Sequence, residues 1–144
     1  MEVAEIKVSY SNTNFEKIKV TNSQMLFELA KTNWNHDLIE FQEEVKLVLL
    51  NRANLVLGIH NLSKGGISGA IVDIRIILAI ALKCNASSLV LIHNHPSGNL
   101  NASQSDIAIT KKLKEACILL DLVLLDHLIV SLKDYYSFSD NGIL

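Results

Sequence analysis

The chain has 144 residues, of which 49% are hydrophobic and 19% charged, with a formal net charge of −2. That length suits one domain with a sizeable core, and the mild negative balance removes the electrostatic footprint of a strongly basic nucleic-acid binder. No apolar run approaches the roughly 18 residues of a spanning helix. Glu2, Glu5 and Lys7 break the basic-then-apolar pattern of a signal peptide. The expected location is therefore cytoplasmic, with no membrane role. Cys84 and Cys117 lie far apart outside any C-x-x-C pair and read as small buried hydrophobes.

Residues 3–9, VAEIKVS, alternate in the manner of a strand, and the polar run Ser11–Lys17 reads as a loop. Thr21 or Asn22 is placed to cap a helix through SQMLFELAKTNW, with Met25, Leu26, Leu29 and Ala30 on one face. Asn35–Glu44 reads as a short helical or loop segment. Val45–Asn51 and Leu55–Leu62 are predicted strands, and Arg52-Ala53-Asn54 between them predicts a hairpin. SKGGISG, Ser63–Gly69, is a loop that either lines a site or makes a tight connection. A helix is expected from Asp73 to about Lys83. A nearly continuous apolar run, SSLVLIHNH, predicts a central strand. Ser103 can cap the next helix, whose Lys111, Lys112 and Lys114 read as a solvated face. Leu122–Ser131 is a further strand and Asp134–Asp140 closes with a short one, where Tyr135, Tyr136 and Phe138 read as packing residues. Strands and helices alternate, so the class is α/β with a mixed sheet between helices.

The chemistry concentrates in LVLIHNHPSGNLNASQSDIAI, Leu89–Ile109. Residues two apart on a strand share a face, so His93 and His95 can reach one metal ion. Pro96 and Gly98 then stop the strand. Asp106 lies one turn into the following helix and can face back towards the histidines. Two histidines and one carboxylate leave a fourth position open, a donor set that suits catalytic zinc; manganese or iron also fit such donors. A general base must come from elsewhere, and Glu43 and Glu44 stand immediately before a strand of the same sheet. Ser103 is placed to stabilise an oxyanion. The plain alternative is a pair of structural or exposed histidines, because H-x-H alone is a weak signal. For Asp126-His127 the choice lies between orienting a ligand histidine and a hydrogen-bonded pair within a strand. His36 and His60 read as structural or surface residues.

The spacing from His93 to Asp106 fits H-x-H-x7-S-x2-D, the JAMM metalloprotease motif. With NRANLVLG, SKGGISG, HNHPSGN and LLDLVLLDHLIVS, the chain resembles the RadC-like JAB-domain family from about Glu43 to Leu144. The resemblance implies a single JAMM/MPN domain over 43–144, related in architecture to cytidine deaminases, with residues 1–42 as an N-terminal extension of one strand and short helices. It implies zinc bound by His93, His95 and Asp106, and catalytic roles for Ser103 and for a glutamate before the first core strand. Counting back from Asn51 favours Glu43 for that residue and leaves Glu44 as the alternative; the two face opposite sides of an extended backbone, so only one can serve. The implied activity is hydrolysis of peptide or isopeptide bonds by a metal-activated water, on a protein or peptide substrate.

Ala102 and Ile74 stand where the family often has proline. Residues 1–42 lack the Gly-rich hairpins of the DNA-associated region of longer relatives. A DNA-repair accessory or metal-dependent nuclease is therefore a second reading with little support, and a non-catalytic protein-binding scaffold is a third. A deaminase is disfavoured, because no P-C-x-x-C ligand pair exists.

Overall fold

Every residue of EVKLVLL and of SLVLIHN is buried, as expected of strands covered on both faces. The computed structural model of the chain describes residues 1–12, 16–66 and 71–144. Its helices are α1 (Ser23–Thr32), α2 (Ile74–Lys83) and α3 (Gln104–Leu119). Its strands are β1 (Glu44–Leu50), β2 (Val56–Lys64), β3 (Ser88–Asn94), β4 (Val123–Val130) and β5 (Tyr135–Ser137). They form one five-stranded sheet in the order β2-β1-β3-β4-β5. Only β3 and β4 run parallel, joined through α3. This is the mixed α/β architecture that the alternating pattern predicts.

Strand alternation sorts the core into two layers. Val45, Leu47, Leu49, Leu89 and Leu91 pack with Ile77 and Ala81 of α2 and Leu113 and Cys117 of α3. Val48, Leu50, Val90, Ile92 and Leu128 pack on the other face with Leu26, Phe27 and Ala30 of α1 and with Trp34. Each fully buried Leu or Ile contributes about 1.5–3 kcal/mol relative to exposure. Both cysteines are buried and free, and burial pushes the Cys117 thiol up to about 11.

Local signals explain the boundaries. Asn22 Oδ1 accepts from Met25 N at 2.9 Å and starts α1; Asp73 Oδ1 accepts from Arg75 N at 2.9 Å and starts α2. In the β1–β2 hairpin, Asn51 Oδ1 accepts from Ala53 N and Leu55 N, both at 3.0 Å, and Asn54 takes a positive φ of 60°. No helix among the described residues is long and apolar enough to cross a membrane.

Two expectations change. Residues 3–9 form no strand, and Val3, Ile6 and Val8 are 84%, 88% and 72% exposed. Alternation supplies a face but no partner. The edge of β2 is met instead by the segment around Lys19, where Ile18 O accepts from Val56 N at 2.8 Å and Val20 N donates to Asn54 O at 2.9 Å. Of the helical or loop alternatives for Asn35–Glu44 the structure takes the loop, a run of turns that leads into β1, with Asn35 O accepting from Leu38 N and Ile39 N; the other change is in α1. The buried stripe of α1 is Leu26, Phe27 and Ala30, rotated from the expected face so that Phe27 stacks on Tyr135 at 4.8 Å. Thr13–Phe15 of the polar loop and Ile67–Gly69 of the glycine-rich loop lie outside the described residues.

A pair of substitutions separates core from arm. Leu47→Ala is expected to lower unfolding free energy by about 2–5 kcal/mol, and Ile6→Ala to change it by less than about 0.5 kcal/mol. Urea titration of both variants measures this; a comparable loss at Ile6 would mean that the arm packs.

Candidate metal centre

On β3, residue 93 shares the face of Leu89 and Leu91, towards α2 and α3. His93 is buried and His95, just past the strand end, is half-buried. Their Nε2 atoms lie 3.0 Å apart. Asp106 closes the group, with Oδ1 at 3.3 Å from His93 Nε2 and Oδ2 at 3.2 Å from His95 Nε2.

The carboxylate is held by the start of α3. Ser103 Oγ accepts from Asp106 N at 3.0 Å, and Asp106 Oδ2 accepts from Ser103 N at 2.9 Å. This reciprocal capping box needs a hydroxyl and an acid three residues apart, which is the S-x2-D spacing of the motif. Ser103 therefore has a structural task on the Asp106 backbone. Its side chain does not line the adjoining cavity; Ser105 does.

That cavity, about 270 Å³, is walled by Glu43, Val45, Leu91, His93, Asp106 and His127 among others. Glu43 directly precedes β1 and shares the parity of Val45. Candidate ligand atoms of Glu43, His93 and His95 all lie within 4.8 Å of one another. Glu44 takes the opposite face: its Oε1 lies 3.2 Å from Lys64 Nζ and its Oε2 3.9 Å from Lys46 Nζ. Lys46 is itself seated over the Trp34 ring at 4.9 Å. The structure thus brings Glu43, His93, His95 and Asp106 around one point and turns Glu44 away from it.

What fixes Glu43 is a residue that the sequence reading passed over. Asn94, between the two histidines, points to the other face and is fully buried. Its Oδ1 accepts from Glu44 N at 2.7 Å, and its Nδ2 donates to Ile39 O at 2.6 Å and Gln42 O at 2.9 Å. One side chain thereby pins the turns that carry Glu43 to the end of β3. The only advance signal was an Asn where a central strand favours apolar residues.

His127 belongs to the same site because β4 carries a bulge. Leu89 pairs with Leu124 but Val90 pairs with Asp126, so Leu125 is an extra residue. The bulge reverses the alternation and brings His127, rather than Asp126, to the face of His93. His127 Nε2 lies 2.8 Å from His93 Nδ1. Asp126 turns away and holds the C-terminal segment, accepting from Ser137 Oγ at 2.6 Å and Ser139 N at 3.0 Å.

The electrostatics follow from burial and contact. Burial pushes the Glu43 carboxyl up, against the pull of His93 and His95. Burial acts upward on Asp106 too, but the facing His93 and His95 outweigh it and hold the carboxyl well below the usual carboxylate range. The Asp106 contact raises His95. Complete burial drives His127 well below the ordinary imidazole value.

The donor set fits a small divalent cation. Tetrahedral bonds of about 2.0–2.1 Å separate ligand atoms by about 3.3 Å; His93 Nε2 and His95 Nε2 lie 3.0 Å apart, and each meets its own Asp106 oxygen, Oδ1 at 3.3 Å and Oδ2 at 3.2 Å. His95 Nδ1 lies 2.6 Å from Asn99 O. A carbonyl only accepts, so Nδ1 carries a proton, which in the neutral ring leaves the Nε2 lone pair for the centre.

Residues 20–143 match the RadC-like JAB domain family. The chain belongs to that family. Among RadC-family relatives, it is 52% identical over 101 residues to a UPF0758 protein of Flavobacterium johnsoniae, covering 70% of this chain and 44% of the relative. It is 44% identical over 101 residues to one from Streptococcus suis, covering 70% and 41%. A Streptococcus gordonii relative is 36% identical over 127 residues, covering 88% of this chain and 55% of its own. The RadC-like chain thus spans about half the length of the curated relatives it matches.

Two substitutions test the scaffold of the site. Asn94→Ala strands one buried N–H and two buried carbonyls, each worth about 1–3 kcal/mol, and is expected to destabilise by about 3 kcal/mol or more. Ser103→Ala removes a cap and is expected to cost about 1 kcal/mol. Chemical denaturation reads both; a neutral Asn94→Ala would refute the pinning of the Glu43 segment.

Proposed function

We propose that this RadC-like domain is a zinc-dependent hydrolase of peptide or isopeptide bonds in a protein or peptide substrate. The observation that carries this reading is the convergence of His93 Nε2, His95 Nε2 and the Asp106 carboxylate within 3.3 Å. JAB/MPN domains are often hydrolytic, and the donor set supports that assignment.

Zinc held by His93, His95 and Asp106 would supply a Lewis acid and a water whose pKa falls to about 7. Glu43, on the cavity wall, accepts a proton from the attacking water and delivers it to the departing amine nitrogen. The upward push of burial on its carboxyl suits both halves of that transfer. Ser103, which the family resemblance casts as the oxyanion donor, acts in this reading through the capping box that holds the Asp106 carboxylate in place. Val45 and Leu91 give part of the cavity wall an apolar lining.

Metal analysis of protein purified without chelator is the first test. About one zinc per chain is expected, as for a three-ligand catalytic site, with loss in His95→Ala and Asp106→Ala. Folded wild type that takes up no metal even from added zinc would turn the reading to a partner-binding scaffold. Glu43→Gln is expected to keep the metal and to slow cleavage of a mixed peptide and isopeptide library by about 10²–10⁴-fold. Unchanged cleavage would remove Glu43 from the mechanism.

A further inference from the structure

Behind His93 lies a short hydrogen-bonded chain whose proton positions follow from its last member. Thr110 Oγ1 is 2.6 Å from the backbone carbonyl of Asp106 and 2.5 Å from His127 Nδ1. A carbonyl only accepts, so the Thr110 hydroxyl gives its single proton to Asp106 O. The Thr110 oxygen must then accept from His127, which places a proton on His127 Nδ1. His127 is 1% exposed. The described partners of its ring, His93, Thr110 and the Phe138 ring stacked at 4.5 Å, are all without negative charge, and the Asp126 carboxylate meets only its backbone N–H. It therefore stays neutral, and its Nε2 accepts. The contact of 2.8 Å to His93 then requires the proton on His93 Nδ1, which in the neutral ring leaves the lone pair on His93 Nε2.

From this chain we infer that His127, oriented by Thr110, is a positioning residue that holds His93 in the Nδ1–H tautomer and so presents Nε2 to the metal. The inference rests on the proposed metal centre for its purpose, and on hydrogen-bond directions alone for its content. It gives the β4 bulge a function, since with regular pairing through Leu125 His127 would leave this face. It also closes a loop: Asp106 supplies a ligand carboxylate from its side chain, and its backbone carbonyl sets, through Thr110 and His127, the lone pair of a second ligand. His95 reaches the same tautomer independently, through Asn99 O. Both imidazoles then point unprotonated nitrogens at one spot 3.0 Å wide, beside a carboxylate, and a cation is what satisfies all three.

The experiment is nitrogen-detected NMR of histidine-labelled, metal-free wild type at alkaline pH, paired with zinc affinity by chelator competition. Expected are an Nδ1–H tautomer for His93 and for His127, and tight zinc binding. His127→Phe keeps a ring on Phe138 but removes the acceptor. It is expected to lose the single His93 tautomer and to bind zinc about 10–100-fold more weakly. His127→Gln restores an acceptor and is expected to recover part of both. An Nε2–H tautomer of His93 in wild type overturns the inference without any variant having to fold. So does a folded His127→Phe with wild-type affinity and tautomer. Wild type that shows the Nδ1–H tautomer yet binds no zinc would sink the metal reading and leave the hydrogen-bond assignment standing.

Discussion

The molecule depends on the two-residue period of β3. Up to Ile92 that strand feeds both core layers, Leu89 and Leu91 to one and Val90 and Ile92 to the other. At its end the same alternation changes chemistry without changing direction. His93 continues the face of Leu91 into the cavity, and Asn94 continues the face of Ile92 into the turns before β1. The H-x-H motif is therefore a three-residue device. The outer residues converge on one point, and the middle one ties down the segment that brings Glu43 to it. Such a device needs a strand buried on both sides, because an imidazole pair on a frayed or exposed strand would not hold 3.0 Å.

The second half of the site reuses a helix start. A capping box fixes a carboxylate at the third helical position, and the positive end of the helix favours its ionised form. Asp106 satisfies both demands while its two oxygens face the two histidines. The site thus lies between the C-terminal end of β3 and the N-terminus of α3, within a parallel strand–helix–strand unit. Open α/β sheets place their ligands at such ends, because strand termini and helix N-termini leave directional groups unpaired there.

Residues whose task is local were readable from the sequence. Asn22, Asp73 and Ser103 start helices because each offers an oxygen to an unpaired backbone N–H. Asn54 marks the hairpin because it tolerates a positive φ. Period two also sufficed to aim His93 and to show that only one of Glu43 and Glu44 could serve; which one depends on where β1 starts. Residues whose task depends on a partner distant in sequence were not readable in this way. Nothing local to VAEIKVS says that the β2 edge is met by the segment near Lys19. Nothing local to LVLLDHL says that Leu125 is the extra residue, so Asp126 and His127 could not be assigned to faces. Asn94 was hidden by its own position, since the two histidines beside it drew the chemical reading.

The cost of the arrangement shows why its polar parts are so closely coupled. His93, Asn94, Thr110, Asp126 and His127 are all buried, and each unpaired group there would be costly. Asn94 and Asp126 are satisfied by fixed backbone and serine partners, so their networks close on the scaffold. The histidine chain closes only at one end, on the Asp106 carbonyl. At its other end two imidazole nitrogens and a carboxylate face one another, with Glu43 beyond them. Two carboxylates balance a divalent cation, and the imidazoles add ligands without adding charge. A site of that composition is electrically neutral with the ion bound, which is the condition under which a half-buried cluster of acids and lone pairs ceases to be a burden on the fold.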